Sequence, residues 1–228
     1  MDIPDELASQ NLPERFFNLL DHLSLIKALS QIEIDAKGEE EIIRIALIEL
    51  MRYQVLDSCS LFRLSAGSLD CVSGISMDEF HEKLSGASVE PLKVEQVMQF
   101  SRDEGIMGIA VRTGEMQYCN DCANSKEFKK ASLNGKVPGS LICVPVKMGG
   151  EVLAILNASH SRKDFFEPWQ QHGLSLFGSY LGQILHNHRL IHNLEQQVEE
   201  RTRELRVALE ESEHLKRRYQ QLSTEDEL

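Results

Sequence analysis

From Phe177 to Leu222 the sequence keeps one apolar rhythm, which limits what the chain can fold into more than any other feature. With Phe177 as position a of a heptad, the a positions are Phe177, Ile184, Ile191, Val198, Leu205, Ser212 and Tyr219. The d positions are Tyr180, Asn187, Leu194, Arg201, Ala208, Leu215 and Leu222. All but Asn187, Arg201 and Ser212 are apolar. From Asn187 onward the other positions are mostly charged or polar, with Leu190 and Leu209 among the exceptions. A narrow a/d seam with charged flanks predicts a coiled coil. Asn187 and Arg201 on the seam cost stability but can fix register and strand number. The alternative is a long helix folded back on its own domain, yet no other segment offers its last part an apolar partner of matching length. The expectation is a homodimer of parallel helices, seamed by Ile184, Ile191, Leu194, Val198, Leu205, Leu215 and Leu222.

A chain of 228 residues holds one good hydrophobic core plus something extended. Its formal charge of −12 repels the phosphate backbone, so nucleic acid is not an expected partner. No apolar run approaches the roughly 20 residues that span a bilayer, and "IIRIALIELM" carries Arg44 and Glu49. Membrane insertion is therefore not expected. The N-terminus "MDIPDELASQ" is acidic and polar, unlike a secretory signal. Five cysteines without small-domain disulfide spacing read as reduced thiols in a cytoplasmic protein.

Along the chain, a first helix begins near Pro13, whose missing N–H suits a first helical turn. Phe16, Leu19, Leu23 and Ile26 form its apolar stripe, which Phe17 and Leu20 widen. "DAKGEEEIIRIALIELMRYQVL" is a second helix, with Glu39, Glu40 and Glu41 at the positive end of its dipole. "DSCSLFRLSAGSLDCVSGIS" reads as a hairpin broken by "SAGS". The stretch "FHEKLSGASVEPLKVEQVMQF" is poorly periodic. "EGIMGIAVRTGEMQYCNDC" holds a short helix, a turn at Thr113-Gly114 and a strand. "GSLICVPVKMGGEVLAILNASHS" is a hairpin turned by Gly149-Gly150, with Pro145 fitting an edge or a bulge. The expected fold class is α+β, an antiparallel sheet with helices on one face.

"DEGIMGIAVRTGEMQYCNDCANSKEF", followed by "GSLICVPVKMGGEVLAILNASHSRKDFFEPWQQHGLSLFGSYLGQIL", resembles a GAF domain. The shared pieces are a "G-x-x-G-x-A/V" helix start, "T-G" before a strand ending in Asp, and an "S-x-x-x-V-P-V" hairpin. The family pattern closes with an "F-x-x-x-D" lead-in to the last helix, of which this chain keeps Phe166 but has Gln170 at the acidic position. The resemblance covers roughly residues 38–186. It implies an antiparallel sheet of five to six strands, a helical bundle behind it, and a ligand pocket on the opposite face. "LEQQVEERTRELRVALEESEHLKRRYQQL" resembles the signalling-helix linkers of bacterial regulators. "STEDEL" resembles the lead-in to a GGDEF diguanylate cyclase domain, with Asp226, Glu227 and Leu228 matching D-x-L.

The expected organisation is an N-terminal tail and dimerisation helix over 1–37, a GAF sensory domain over 38–186, a signalling-helix coiled coil over 187–222, and a lead-in to an output domain over 223–228.

Several motifs carry chemistry on paper. Cys119 and Cys122 form a C-x-x-C, but no second ligand pair completes a zinc site, and two small packing residues are the plainer reading. His188 and His192 stand four apart on a helix, off the seam. No metal site and no catalytic residue is expected. Cyclic-nucleotide-binding GAF domains carry N-K and, later, D-E. Here Ala158 follows Asn157, and Gln170 and Gln171 hold the acidic positions. That argues against a cyclic nucleotide. The expected pocket is lined by Tyr118, Asp121, Phe128, Ser140, Cys143 and Asn157, an aromatic wall with a few polar groups. Its occupant is an unidentified small molecule, or the same positions are filled by packing.

The resemblance implies a sensory or regulatory module of a bacterial signal-transduction protein. Its output would be a GGDEF domain making cyclic di-GMP. The rivals are a histidine kinase or transcriptional regulator output, a ligand-free dimerisation scaffold, and a GAF enzyme that reduces free methionine sulfoxide.

Overall fold

Apart from one bulge in each hairpin, the strands of the two hairpins alternate, and this sorts their side chains into two apolar layers. A computed structural model describes residues 12–32, 38–77, 80–81, 99–129 and 137–225. The elements are α1 (Leu12–Ser30), α2 (Glu39–Tyr53), β1 (Ser58–Leu64), β2 (Ser68–Ser76), β3 (Gln99–Ser101), α3 (Gly105–Thr113), β4 (Gln117–Cys119), β5 (Ser140–Met148), β6 (Glu151–His160) and α4 (Pro168–Glu225). The fold is α+β. Six antiparallel strands run in the order β3-β2-β1-β6-β5-β4.

Both expected hairpins form. β1 and β2 join through Ser65–Gly67, where Ser65 N donates to Ser68 O at 2.8 Å. β5 and β6 turn at Gly149 and Gly150, with φ of 56° and 92°. Those angles belong to the left-handed region, where a Cβ is strained. Pro145 pairs with Ile155 on one side, while β4 reaches only to Cys143 on the other. Its missing N–H thus falls where no strand asks for it, one residue before a bulge at Val146/Lys147.

One face of the sheet carries Cys59, Leu61, Ile142, Val144, Val146, Ala154, Leu156 and Ala158. Against these pack Ile42, Ile43, Ala46, Leu47 and Leu50 of α2, Leu25 and Leu29 of α1, and Leu174, Phe177, Leu181, Ile184 and Leu185 of α4. α4 can approach closely because it carries glycine where it meets β5. A Cβ at Gly178 would stand 2.8 Å from Val144 Cγ1, and one at Gly182 would collide with the Lys147 carbonyl oxygen. The start of α4 is capped from its own first turn. Pro168 opens the helix, and Gln170 Oε1 accepts from Glu167 N at 2.9 Å. Gln171 Nε2 donates to Phe166 O at 2.7 Å.

The first helix departs from the expected stripe. α1 buries Leu25 and Leu29, whereas Leu19 and Leu23 are 55% and 54% exposed. The i, i+4 spacing of the exposed leucines marks a face of the helix, but not the face turned to the core. The Phe16 side chain lies outside the described residues, as does most of the poorly periodic stretch from Phe80 to Phe100.

The chain divides into two units, Met1–His186 and Asn187–Leu228. In the second, α4 continues as helix to Glu225, and Leu194, Val198 and Leu205 are 52%, 65% and 70% exposed. Ile191 is half-buried. Ile184, placed on the seam by the heptad, is 6% exposed and belongs to the core of its own domain. The side chains of Leu215 and Leu222 lie outside those described. Among the described residues no helix is long and apolar enough to cross a membrane.

Candidate functional site

The second face of the sheet bears Phe62, Leu69, Cys119, Leu141, Cys143 and Ile155. α3 lies on it with Ile106, Met107, Ala110 and Val111 buried. Glycine at 105 adopts φ of 66° to start α3, and Gly114 ends it at φ of 64°. Phe128 packs against this layer from the loop beyond β4.

Toward one end, the same face turns polar. Ladder registers align Cys143, Asn157, Ser60 and Gly74 in one row, and Leu141, Ser159, Ser58 and Ser76 in the next. Ser58 Oγ and Ser159 Oγ share a hydrogen bond at 2.8 Å, and Ser60 and Ser76 are buried. Asn157 Nδ2 donates to Met107 Sδ at 3.1 Å, a weak acceptor. Its Oδ1 is buried without a partner among the described residues. A buried acceptor without a donor costs about 1–3 kcal/mol.

Of the six expected pocket residues, Phe128, Cys143 and Asn157 come together on this face. Tyr118 and Ser140 do not, because strand parity sends them to the helical side. Tyr118 pairs with Ile142 and stands edge-on to Phe166 at 6.0 Å. Its hydroxyl donates to Asp164 Oδ1 at 3.1 Å, and burial pushes the phenol up to about 12. Ser140 Oγ donates to Arg162 O at 2.8 Å.

Asp121 follows β4 and accepts from Lys163 Nζ at 2.8 Å and Asn124 Nδ2 at 2.7 Å. Those bonds, Lys163's first, hold its carboxyl below the usual range. Its Oδ1 is also buried without a partner among the described residues. Asp121, Tyr118 and Ser140 thus tie the sheet to the connection between β6 and α4 rather than line a pocket. Asp164 N, donating to Asn120 O at 2.9 Å, adds to the same tie.

The thiols sit in apolar surroundings. Cys119, Cys122 and Cys143 are buried together under α3. Burial, then neighbouring Cys119, pushes Cys122 up to about 12, and burial pushes Cys143 up further. A thiol held protonated is a poor nucleophile and a poor metal ligand. Among the described residues no group of three or more His, Cys, Asp or Glu can hold a metal. Gln170 and Gln171, at the positions where cyclic-nucleotide binders carry acids, are committed to the start of α4.

The serine rows and Met107 were not among the expected site residues. Their signal is visible in "SCSLF" and "NASHS", where Ser58, Ser60, Asn157 and Ser159 occupy the alternate positions.

No curated protein matches the chain. Among solved structures, the GAF domain of a phosphoenolpyruvate-protein phosphotransferase from Coxiella burnetii is similar, with a TM-score of 0.62 and 18% identity over 77% of this chain and 99% of that one. The free methionine-R-sulfoxide reductase of Neisseria meningitidis, solved with its substrate, is similar with a TM-score of 0.61 and 13% identity over 80% and 96%. The A. aeolicus nlh2 GAF domain, in an inactive state, is similar with a TM-score of 0.56 and 18% identity over 75% and 96%. At these identities the likeness shows the fold. The GAF domain family model matches residues 36–186, and the chain belongs to the GAF domain family.

Proposed function

We propose that the chain is a cytoplasmic sensory and regulatory module that pairs with a second copy through α4 and passes a change in helix geometry to an output domain. The observation that carries this reading is α4 itself. One helix anchors Phe177, Leu181 and Leu185 in the domain core and continues to Glu225. Along its second half it presents Leu194, Val198 and Leu205 at a and d positions, all exposed. A second copy in parallel register would cover them.

The proposed ligand face is the row of Asn157, Ser60, Ser58 and Ser159 beside Met107. A small polar molecule that donates a hydrogen bond to Asn157 Oδ1 would satisfy its unmatched acceptor. The proposed output is a GGDEF diguanylate cyclase, supported by the linker pattern V-x-E-R-T-x-E-L at Val198–Leu205. Such a cyclase joins two GTP molecules held by two facing active sites, so helix geometry can gate it. The enzyme alternative, reduction of free methionine sulfoxide, is disfavoured by the burial that keeps Cys122 and Cys143 protonated.

A thermal-shift series with small polar metabolites tests the sensor. A binder raises the melting temperature by mass action, and Asn157→Leu removes the rise. Uniform indifference of the wild-type protein would leave only the dimerisation scaffold. For the output, the reading frame beyond codon 228 is decisive: cyclase motifs support the proposal, and kinase or DNA-binding motifs replace it.

A further inference from the structure

α1 meets the first turns of α4 through one histidine. His22 lies one turn before Leu25, on the side of α1 that faces the domain. Gly173 leaves a notch in α4 at this level. A Cβ there would collide with His22 Nε2, so the ring occupies the space that glycine leaves open. The imidazole centroid lies 5.9 Å from the Trp169 ring, with the planes tilted by 40°. Nε2 is buried and has no hydrogen-bond partner among the described residues.

The two charge states of this ring fit the notch unequally. A neutral ring with its proton on Nδ1 leaves a bare Nε2 lone pair against the helix. Protonation places an N–H and a positive charge at the same point, where no acceptor lies among the described residues, and burying an unpaired charge is far costlier than burying a lone pair. The charged neighbours do not relieve this. Asp21, on the same helix, favours the cation but is exposed, and His172 on α4 opposes it. Glu167 is engaged with Trp169 Nε1 at 3.0 Å. On α2, which also packs on α1, Arg44 is paired with Glu41 and Arg52 with Glu49.

We propose that His22 is a pH latch, holding the N-terminal half of α1 against α4 while neutral and releasing it when protonated. Beyond the latch, Leu25 and Leu29 keep the rest of α1 in the core. Leu19, Leu20 and Leu23 flank the latch and are exposed, so its state governs how that apolar surface is presented. The latch does not depend on dimerisation or on any ligand.

The sign follows from the direction of the histidine's shift. Burial, then His172, lowers the value of docked His22 below 6.5. The released state therefore takes up the proton first. Docking is complete above about pH 6.5 and weakens below it, by at most about tenfold per pH unit, until the docked ring itself protonates.

Trp169 is the chain's one tryptophan, so its fluorescence reports on the surroundings of this one ring, and the His22 variants assign the change to the His22 contact. Its emission is followed from pH 8 to pH 5, together with hydrogen exchange of α1 and β6 corrected for the intrinsic effect of pH. The wild-type protein should show an emission transition below pH 6.5. Amides before Leu25 should gain several-fold in exchange while β6 stays protected. His22→Gln should abolish the pH dependence of both signals, as should His22→Asn if the glutamine variant folds poorly. His172→Gln should shift the transition to lower pH. The proposal is overturned if α1 exchange in the wild type is flat across the range, or if the transition survives in the folded His22 variant.

Discussion

The carbonyl oxygen of Lys147 lies against Gly182 with no room for a side-chain carbon between them. Lys147 is on β5, two residues beyond Pro145 and at the bulge between β5 and β6, and Gly182 is on α4. The same strand carries Cys143 on the opposite face of the sheet, in the layer under α3. A movement of β5 is thereby felt by α4 without an intervening flexible group.

Gly182→Ala should therefore destabilise the protein. Alanine gains about 1 kcal/mol of helix propensity, but the forced shift of strand or helix costs about 1–3 kcal/mol. A net loss of up to about 2 kcal/mol is expected by urea denaturation followed by circular dichroism. Gly67→Ala is the control. Nothing lies within 4 Å of its Cβ, and it should change stability by less than about 0.5 kcal/mol.

Asn157→Leu should raise the stability of the ligand-free protein, by about 1 kcal/mol. The change removes a buried acceptor without a donor and forfeits only a weak bond to Met107 Sδ. Stabilisation together with loss of ligand response is the signature of a site kept polar for binding. A lower urea midpoint would mean that Asn157 is satisfied in solution and serves the fold.

The cysteines should be unreactive in the native state and should destabilise it in alkali. Burial raises Cys71 to about 11 and Cys122 to about 12, with Cys59 and Cys143 shifted in the same direction. The unfolded chain loses those protons first, near the ordinary value of about 8.5, so it binds fewer protons than the native state above that pH. Stability should fall steadily as pH rises from about 8.5 toward 12. At pH 8 a chromogenic disulfide reagent should titrate at most the half-buried Cys71 quickly, and all five thiols only after denaturation.

Much of the fold was legible because it is written in local patterns. Gly149-Gly150 between two apolar runs marks a tight hairpin, and a heptad of some forty residues marks a helix whatever it pairs with. The site was less legible. Tyr118 and Ser140 were expected in the pocket on chemical character, yet the parity of β4 and β5 assigns them to the helical side, since Tyr118 pairs with Ile142 and Ser140 lies two residues before it. Parity depends on where a strand begins and where it bulges, and residue type does not encode that. The same holds for α1. Leu19 and Leu23 form a regular stripe, but the core takes Leu25 and Leu29 because the packing against α2 and Gly173 sets the rotation of the helix. Ile184 keeps the heptad rhythm and still packs inward, so a periodic pattern gives a face and not its partner.

The most direct test of the account is the mass of the chain in solution, by sedimentation equilibrium at tens of micromolar. The account predicts a dimer, twice the 25.9 kDa of one chain. Leu205→Asp, on the exposed seam, should dissociate it. Glu204→Asp, which changes only the exposed partner of Arg201, should leave it intact. A monomeric wild-type protein, or a dimer indifferent to Leu205→Asp, would contradict the pairing of α4 on which the proposed signalling rests.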